Sequence, residues 1–205
     1  MTTYDKHACL KIIKGKDAYT YGHCMRVAYF SRLLCQTLNL KKEVSKSVED
    51  AALVHDIGKV MVPDEVLNKP GALTNDEFKV MKEHTTLGLH YLETHYSDVP
   101  DVTKDVVVGH HLSLNGKGYP IIESGNTISL EQRIVTICDI FDGIASKRTY
   151  RETLVPVKQV LSIMQNDCDN GKLDTSVFSV FKNAVVPNLF IDWSKTDEIP
   201  LPFLN

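Results

Sequence analysis

No Cys-x-x-Cys pair occurs in the 205 residues, and the five cysteines, Cys9, Cys24, Cys35, Cys138 and Cys168, are odd in number. A thiolate zinc site and a disulfide framework are both disfavoured, and a reducing compartment, the cytoplasm, is the expected location. No run of about 18 consecutive apolar residues exists, so no membrane-inserted helix is expected. The polar start, Met1-Thr2-Thr3-Tyr4-Asp5-Lys6-His7, holds no apolar segment of signal length. An excess of positive charge is missing too: 23 basic and 26 acidic side chains leave a net charge of -3. That balance argues against a polyanion-binding face, so duplex nucleic acid is not an expected partner. Any phosphate handled here must be neutralised locally, by a few cations or by metals. Internal repeats, low-complexity linkers and convincing period-two alternation are also absent.

What is present is helical patterning in a 43% hydrophobic chain. Val27, Phe30, Leu34 and Leu38 predict a helix from Tyr21 to Leu38, and Val44, Val48, Ala51, Ala52 and His55 continue a face from Glu43 to Ile57. Gly58 reads as a stop, and Lys69-Pro70-Gly71 as a turn in the loop from Val62 to Leu73. Thr74-Asn75-Asp76-Glu77 and Ser129-Leu130-Glu131-Gln132 are capping-box signatures. The first opens a helix carrying Phe78, Met81, His84, Thr85, Gly88 and Leu92. The second opens one carrying Ile134, Ile137, Cys138, Phe141, Ile144 and Ala145. Further helices are expected over Val102 to His111, 156–167 and 174–185, with a glycine-rich loop from Asn115 to Gly125. The fold class is all-α, a bundle of about seven to eight helices. One domain covers 1–186, and a tail with three prolines covers 187–205.

Eight histidines occur, and five of them are spaced helix by helix. His55-Asp56 follows His23 by 32 residues, His84 follows His55 by 29, and His110-His111 follow His84 by 26 and 27. Asp139 comes 28 after His111, beside Cys138 and Phe141. A lone buried histidine or carboxylate costs free energy, whereas several converging on one core satisfy each other through metal ions. Nitrogen and oxygen donors suit iron, manganese, zinc, nickel or cobalt, and a pair of ions about 3.5–4 Å apart can clamp a phosphate and activate water. Taken singly, His23, His84 or Asp139 is more often a hydrogen-bonded core or surface residue. His7, His90 and His95 are assigned that ordinary role, His90 because six residues beyond His84 it turns to another face.

The full strings carry a family resemblance. Asp17-Ala18-Tyr19-Thr20-Tyr21-Gly22-His23 resembles the entry motif of HD-GYP domains, and His55-Asp56-Ile57-Gly58-Lys59 their HD signature. Leu67-Asn68-Lys69-Pro70-Gly71-Ala72-Leu73-Thr74, His110-His111 and Gly116-Lys117-Gly118-Tyr119-Pro120 are similar to the loop, double histidine and GYP motif that follow. Asp139-Ile140-Phe141-Asp142-Gly143 and Arg148-Thr149-Tyr150-Arg151 resemble the closing motif, so the likeness spans about 17–185. HD-GYP domains are a branch of the HD phosphohydrolase superfamily that typically hydrolyse cyclic dinucleotides such as cyclic di-GMP.

The resemblance implies two divalent metal ions, one on His23, His55, Asp56 and Asp139, the other on Asp56, His84, His110 and His111, with Asp56 bridging. It implies that Lys59 binds the scissile phosphate, that Arg148 and Arg151 contact phosphate oxygens, and that Asp142 lies near base or ribose. Tyr119 with flexible Gly116 and Gly118 would shape the mouth. The ordinary alternative for Lys59 is a charge capping a helix end, and for the arginines a solvated helix terminus. Three departures stand out, the first bearing on the number of metals, two rather than three, and the others on the substrate. Tyr19 stands where some members have a metal-binding Glu, Leu112 replaces a Glu after the double histidine, and Asn115 replaces an Asp, with Ser113 and Leu114 between. The implied function is cleavage of cyclic di-GMP or 3′3′-cyclic GMP-AMP to the linear dinucleotide. Alternatives are a cyclic-dinucleotide receptor without turnover and an HD hydrolase of another nucleotide. A homodimer or a regulatory partner domain is the further partner expectation.

Overall fold

The structure, a computed structural model, describes residues 1–121, 127–146 and 154–189. Among these, ten α-helical segments follow one another: α1 (Lys6–Lys16), α2 (Ala18–Thr37), α3 (Lys42–Ala52), α4 (Asp64–Leu67), α5 (Asn75–Lys82), α6 (His84–His95), α7 (Asp101–Gly109), α8 (Leu130–Ala145), α9 (Val157–Asp169) and α10 (Thr175–Val180). The all-α expectation holds. The segments outnumber the expected helices because α4 is a single turn, α1 was not expected, and the helix expected from Thr74 is divided.

Carboxylate and hydroxyl caps start several of these helices. Asp17 accepts from the backbone N–H groups of Tyr19 and Thr20 at 3.2 and 2.8 Å, opening α2 at the residue that closes α1. Both capping boxes form, Thr74 with Glu77 and Ser129 with Gln132. Between α5 and α6 the Glu83 N–H turns back to the Val80 carbonyl at 3.1 Å, a tightening that separates them. This break divides an exposed helix from a packed one. No residue of α5 is buried, whereas α6 buries His84, Thr85, Gly88 and Leu92.

Long α2 runs through the centre, packed on α3 and α8. Phe30 of α2 meets Phe141 of α8 at 5.8 Å, and Phe141 meets Phe181 at 5.0 Å, all three fully buried. Each such ring removed from water contributes about 1.5–3 kcal/mol before entropy. The expected stop at Gly58 is corrected: α3 ends at Ala52, and Gly58 falls within a 3-10 turn, Ile57–Met61. There it permits close approach, because a Cβ would lie 1.9 Å from the His84 carbonyl oxygen and 2.5 Å from the Gly88 nitrogen. A two-residue parallel pairing, β1 (Thr2–Thr3) with β2 (Tyr96–Ser97), ties the N-terminus to the end of α6. The expected boundary at residue 186 meets a 3-10 turn, Val186–Asn188, and the tail from residue 190 lies outside the described residues. No helix among the described residues is long and apolar enough to cross a membrane.

Candidate metal centre

Five structural pieces send side chains to one point in the bundle. His23 comes from the first half of α2, and His55 and Asp56 from the turn after α3. His84 is the first residue of α6, His110 and His111 follow α7, and Asp139 lies within α8. His23, His55, Asp56, His84 and His110 are at most 1% exposed, and Asp139 is 7% exposed. Asp56 lies at the middle. Its Oδ2 is 3.6 Å from His23 Nε2 and 3.4 Å from His55 Nε2, and its Oδ1 is 3.3 Å from His84 Nε2 and 3.8 Å from His110 Nε2. Asp139 presents Oδ1 to His23 Nε2 at 2.9 Å and Oδ2 to His111 Nδ1 at 3.8 Å.

The donor set fits cations. His84 Nδ1 donates to the Met81 carbonyl at 2.7 Å, and His110 Nδ1 to the carbonyls of Val106 and Val107 at 3.0 and 3.1 Å. Both rings therefore turn an Nε2 lone pair inward, and these nitrogens lie 3.2 Å apart beside a carboxylate oxygen. Facing lone pairs of this kind repel unless a cation lies between them. His55 Nε2 and Asp56 Oδ1 are buried atoms without a hydrogen-bond partner, a costly arrangement that metal ligation relieves. The donor atoms of His84, His110 and His111 lie within 4.8 Å of one another, as do those of His23, His55 and Asp139.

Charge follows burial and neighbours. Burial pushes the His84 pKa down to about 3 and that of His111 down to about 4, and lowers His110 well below the ordinary range. Burial opposes ionisation of Asp56, but Lys59 and His55 outweigh it and hold the carboxyl well below its usual value. For His55 burial also acts to lower the pKa, but Asp56, Cys24 and Asp139 together outweigh it and raise the pKa well above the ordinary value.

Lys59 extends its ammonium to 2.6 Å from Asp56 Oδ2, so it belongs to the cluster and is more than a helix-end charge. Tyr119 stacks on His111 with ring centroids 4.6 Å apart and stands edge-on to His84 at 6.3 Å. Gly116 has a φ of 74°, the left-handed region that suits glycine. Gly118 is packed rather than free, since a Cβ there would lie 2.4 Å from the His111 carbonyl oxygen. Arg148 and Arg151 lie outside the described residues.

Asp142 requires correction. Expected beside base or ribose, it is fully buried behind His23, with Oδ2 on His23 Nδ1 at 2.7 Å and Oδ1 on Arg26 Nε at 2.7 Å. It is one turn beyond Asp139 on α8, which turns it to the back of His23 rather than to the mouth. The family departures also have structural partners. Asn115 Oδ1 accepts from Ser113 Oγ at 2.8 Å and from the Lys117 N–H at 3.1 Å, and its Nδ2 donates to the Asn170 carbonyl at 3.0 Å. The Leu114 N–H donates to the Lys172 carbonyl at 3.1 Å, so the loop is strapped to the turn between α9 and α10.

Sequence reasoning missed three residues. Cys24 brings its thiol within 4.8 Å of donor atoms of His55 and Asp56, and its position next to His23 was the available signal. Arg26, one turn beyond His23 and 3% exposed, was legible only as an arginine inside an apolar helix face. Lys82 holds its ammonium 5.8 Å from the centroid of Tyr119 and 5.1 Å from that of Phe78, a contact with no signature in spacing. His7, His90 and His95 are exposed, as their ordinary role requires.

Comparison with known proteins adds to this geometry. A family model described as an HD domain matches residues 7–177. A 3′3′-cGAMP-specific phosphodiesterase of Vibrio cholerae is 33% identical over 169 residues, 82% of this chain and 38% of its own length. A cyclic di-GMP phosphodiesterase of Pseudomonas aeruginosa is 35% identical over 173 residues, 84% of this chain and 41% of its own length. The crystal structure of a cyclic GMP-AMP-specific phosphodiesterase of V. cholerae matches with a TM-score of 0.56 at 30% identity, covering 91% of this chain and 41% of that one. The chain thus spans 38% and 41% of the length of these two curated relatives.

Proposed function

The chain belongs to the HD domain family, in its HD-GYP branch, and from that premise we propose that it is a two-metal phosphodiesterase that opens a cyclic dinucleotide to its linear form. The observation that carries this reading is Asp56, a buried carboxylate whose two oxygens face two different histidine groups. One ion would be held by His23, His55, Asp56 and Asp139, and the other by Asp56, His84, His110 and His111. A bound pair of this kind lowers the pKa of a water and neutralises charge on a phosphoryl group.

The chain's own residues supply orientation and charge. Lys59, its side chain 17% exposed, lies at the solvent edge of the cluster and would hold a phosphoryl oxygen as a point charge. Tyr119, with one ring face on His111 and the Lys82 ammonium over the ring, walls the mouth and limits water there. Arg148 and Arg151 are the further phosphate contacts this reading calls for. The two curated relatives are named for 3′3′-cGAMP and cyclic di-GMP, and each of these substrates carries two phosphodiesters. With one set of metal-holding residues and one adjacent lysine, Lys59, the site would engage one diester at a time, so the first product would be the linear dinucleotide.

The test is turnover of cyclic di-GMP and 3′3′-cyclic GMP-AMP by protein loaded separately with manganese and with ferrous iron, followed by chromatography, with Asp56→Ala as control. Metal-dependent appearance of a linear dinucleotide, lost in the control, is expected. Two ions bound per chain with neither substrate cleaved would leave a receptor or a hydrolase of another nucleotide in its place.

A further inference from the structure

His23 differs from the other inward-facing histidines in what supports its outer nitrogen. His55, His84 and His110 each donate Nδ1 to a backbone carbonyl three or four residues earlier, His55 to that of Ala52 at 2.7 Å. His23 Nδ1 instead meets a carboxylate, Asp142 Oδ2, at 2.7 Å. His23 sits inside the long helix α2, and the support of its outer nitrogen comes from another helix, α8, which carries Asp142.

That carboxylate is itself held on both oxygens. Arg26 Nε donates to Oδ1 at 2.7 Å and Arg26 Nη2 to Oδ2 at 3.0 Å, the paired geometry that guanidinium and carboxylate favour. Ser146 Oγ also donates to Oδ1, at 2.9 Å. Arg26 is 3% exposed, and Asp142 and Ser146 are fully buried. A buried ion pair is not a general source of stability, because desolvation of both charges offsets their attraction. Its position gives it another use. His23 and Arg26 are three apart on α2, Asp139 and Asp142 three apart on α8, and the two pairs face each other across the helix interface. Asp139 meets the inner nitrogen of His23 at 2.9 Å, and Asp142 meets the outer one.

We infer that Arg26 and Asp142 form a positioning pair for the metal centre, which holds the proton of His23 on Nδ1 and so aims the Nε2 lone pair at the ion shared with His55 and Asp139. Asp142 sets the tautomer and ring orientation, and Arg26 fixes the carboxylate plane and keeps Asp142 an acceptor. The inference rests on the metal reading given above. It goes beyond that reading by making the His23 side of the centre depend on residues that touch neither metal nor substrate. The Asp142→Asn amide can turn its NH2 towards Nδ1, which favours the opposite tautomer and puts a proton where the ion binds.

The test is metal binding, measured without substrate. Wild type, Asp142→Asn, Arg26→Gln and Arg26→Lys are titrated with manganese and with zinc by calorimetry, and ions per chain are counted after dialysis. Loss of outer support characteristically weakens metal affinity by about 10–100-fold. That loss is expected at one of the two ions in Asp142→Asn and Arg26→Gln, with the other ion unchanged and a smaller loss in Arg26→Lys. Wild-type affinity at both ions in folded Asp142→Asn would overturn the inference. Should that variant not fold, the zinc-loaded wild type decides: nitrogen-15 imidazole spectra must show His23 protonated on Nδ1, and a proton on Nε2 would refute the assignment. If the wild type bound no ion at all, the metal reading would fall first, and this inference with it.

Discussion

The two halves of the centre meet at Asp56 but are built differently. The half formed by His23, His55 and Asp139 draws on the two longest helices, α2 and α8, contains a carboxylate of its own, and is braced by the Arg26–Asp142 pair. The half formed by His84, His110 and His111 is all imidazole. His84 and His110 lean on carbonyls of their own chain segments, and His111 stacks under Tyr119 with its side chain 25% exposed. A dry, braced half with a carboxylate of its own suits holding an ion. A neutral half beside the mouth suits meeting a substrate's phosphate. The contrast teaches that one carboxylate shared between two donor groups does not make the groups equivalent.

Breaking the bridge should have the largest effect, because it removes what the halves share. Asp56→Asn keeps the shape and takes away the charge between the two histidine groups. Phosphodiesterase activity should fall by more than the roughly hundredfold that loss of an outer-sphere partner brings, and ions per chain should drop in an elemental count. Near-wild-type turnover with both ions retained would mean that Asp56 is not the bridge.

Gly58→Ala separates the halves. Its Cβ would meet the His84 carbonyl oxygen at 1.9 Å, and backbone has little room to yield. Overpacking of this kind costs about 1–3 kcal/mol, read as a lower denaturant midpoint, and the strain falls on the first turn of α6. One ion should be weakened and the His23 side spared. Equal weakening of both ions would argue that the halves move as one body.

These contrasts show what the sequence could and could not reveal. Six of the seven proposed metal ligands were legible inside motif strings, His84 through its spacing from His55 and the family resemblance, and the structure brings all seven to one cluster. The capping boxes at Thr74 and Ser129 were legible because their hydrogen bonds are local. Asp142 was misread because an aspartate one turn from a ligand can face the mouth or the back, and only the crossing of α2 and α8 decides. Gly58 was misread because a glycine after an amphipathic run looks the same whether it ends a helix or admits a neighbouring backbone. Helix α1 was overlooked although Asp5 caps it, because its pattern is short and heavily charged. The pairing of Thr2–Thr3 with Tyr96–Ser97 joins residues 94 apart through two-residue strands, too short for any periodicity.

Acid should act on the imidazole half next. His84 has its pKa pushed by burial from 6.5 to about 3, so between those values the unfolded chain binds a proton that the folded chain refuses. Stability then falls as pH drops below about 6.5, by up to about 1.4 kcal/mol per pH unit for such a group. His110 and His111 are shifted the same way and add to the loss. His55 is shifted upward and works against it, its contribution being present at low pH and lost as pH rises. Three groups against one predict a lower urea midpoint at pH 5 than at pH 7 for protein treated with chelator. A midpoint that rose on acidification would show that His55 and its carboxylates dominate.

The smallest effect tests whether the two capping boxes inherit the inequality of the regions they open. Ser129 starts α8, the helix that carries Asp139 and buries ten of its residues, whereas Thr74 starts α5, which buries none. Replacing a cap hydroxyl by alanine costs about 1 kcal/mol where the helix end is held in place. An exposed helix can fray locally instead, at a cost below that of global unfolding. Ser129→Ala should therefore lower the denaturant midpoint by about that amount. Thr74→Ala should leave the midpoint close to wild type and instead speed amide hydrogen exchange within α5. Equal midpoint losses in the two variants would mean that α5 unfolds only with the bundle. The segment leading to His84 would then be as firmly held as the one that carries Asp139.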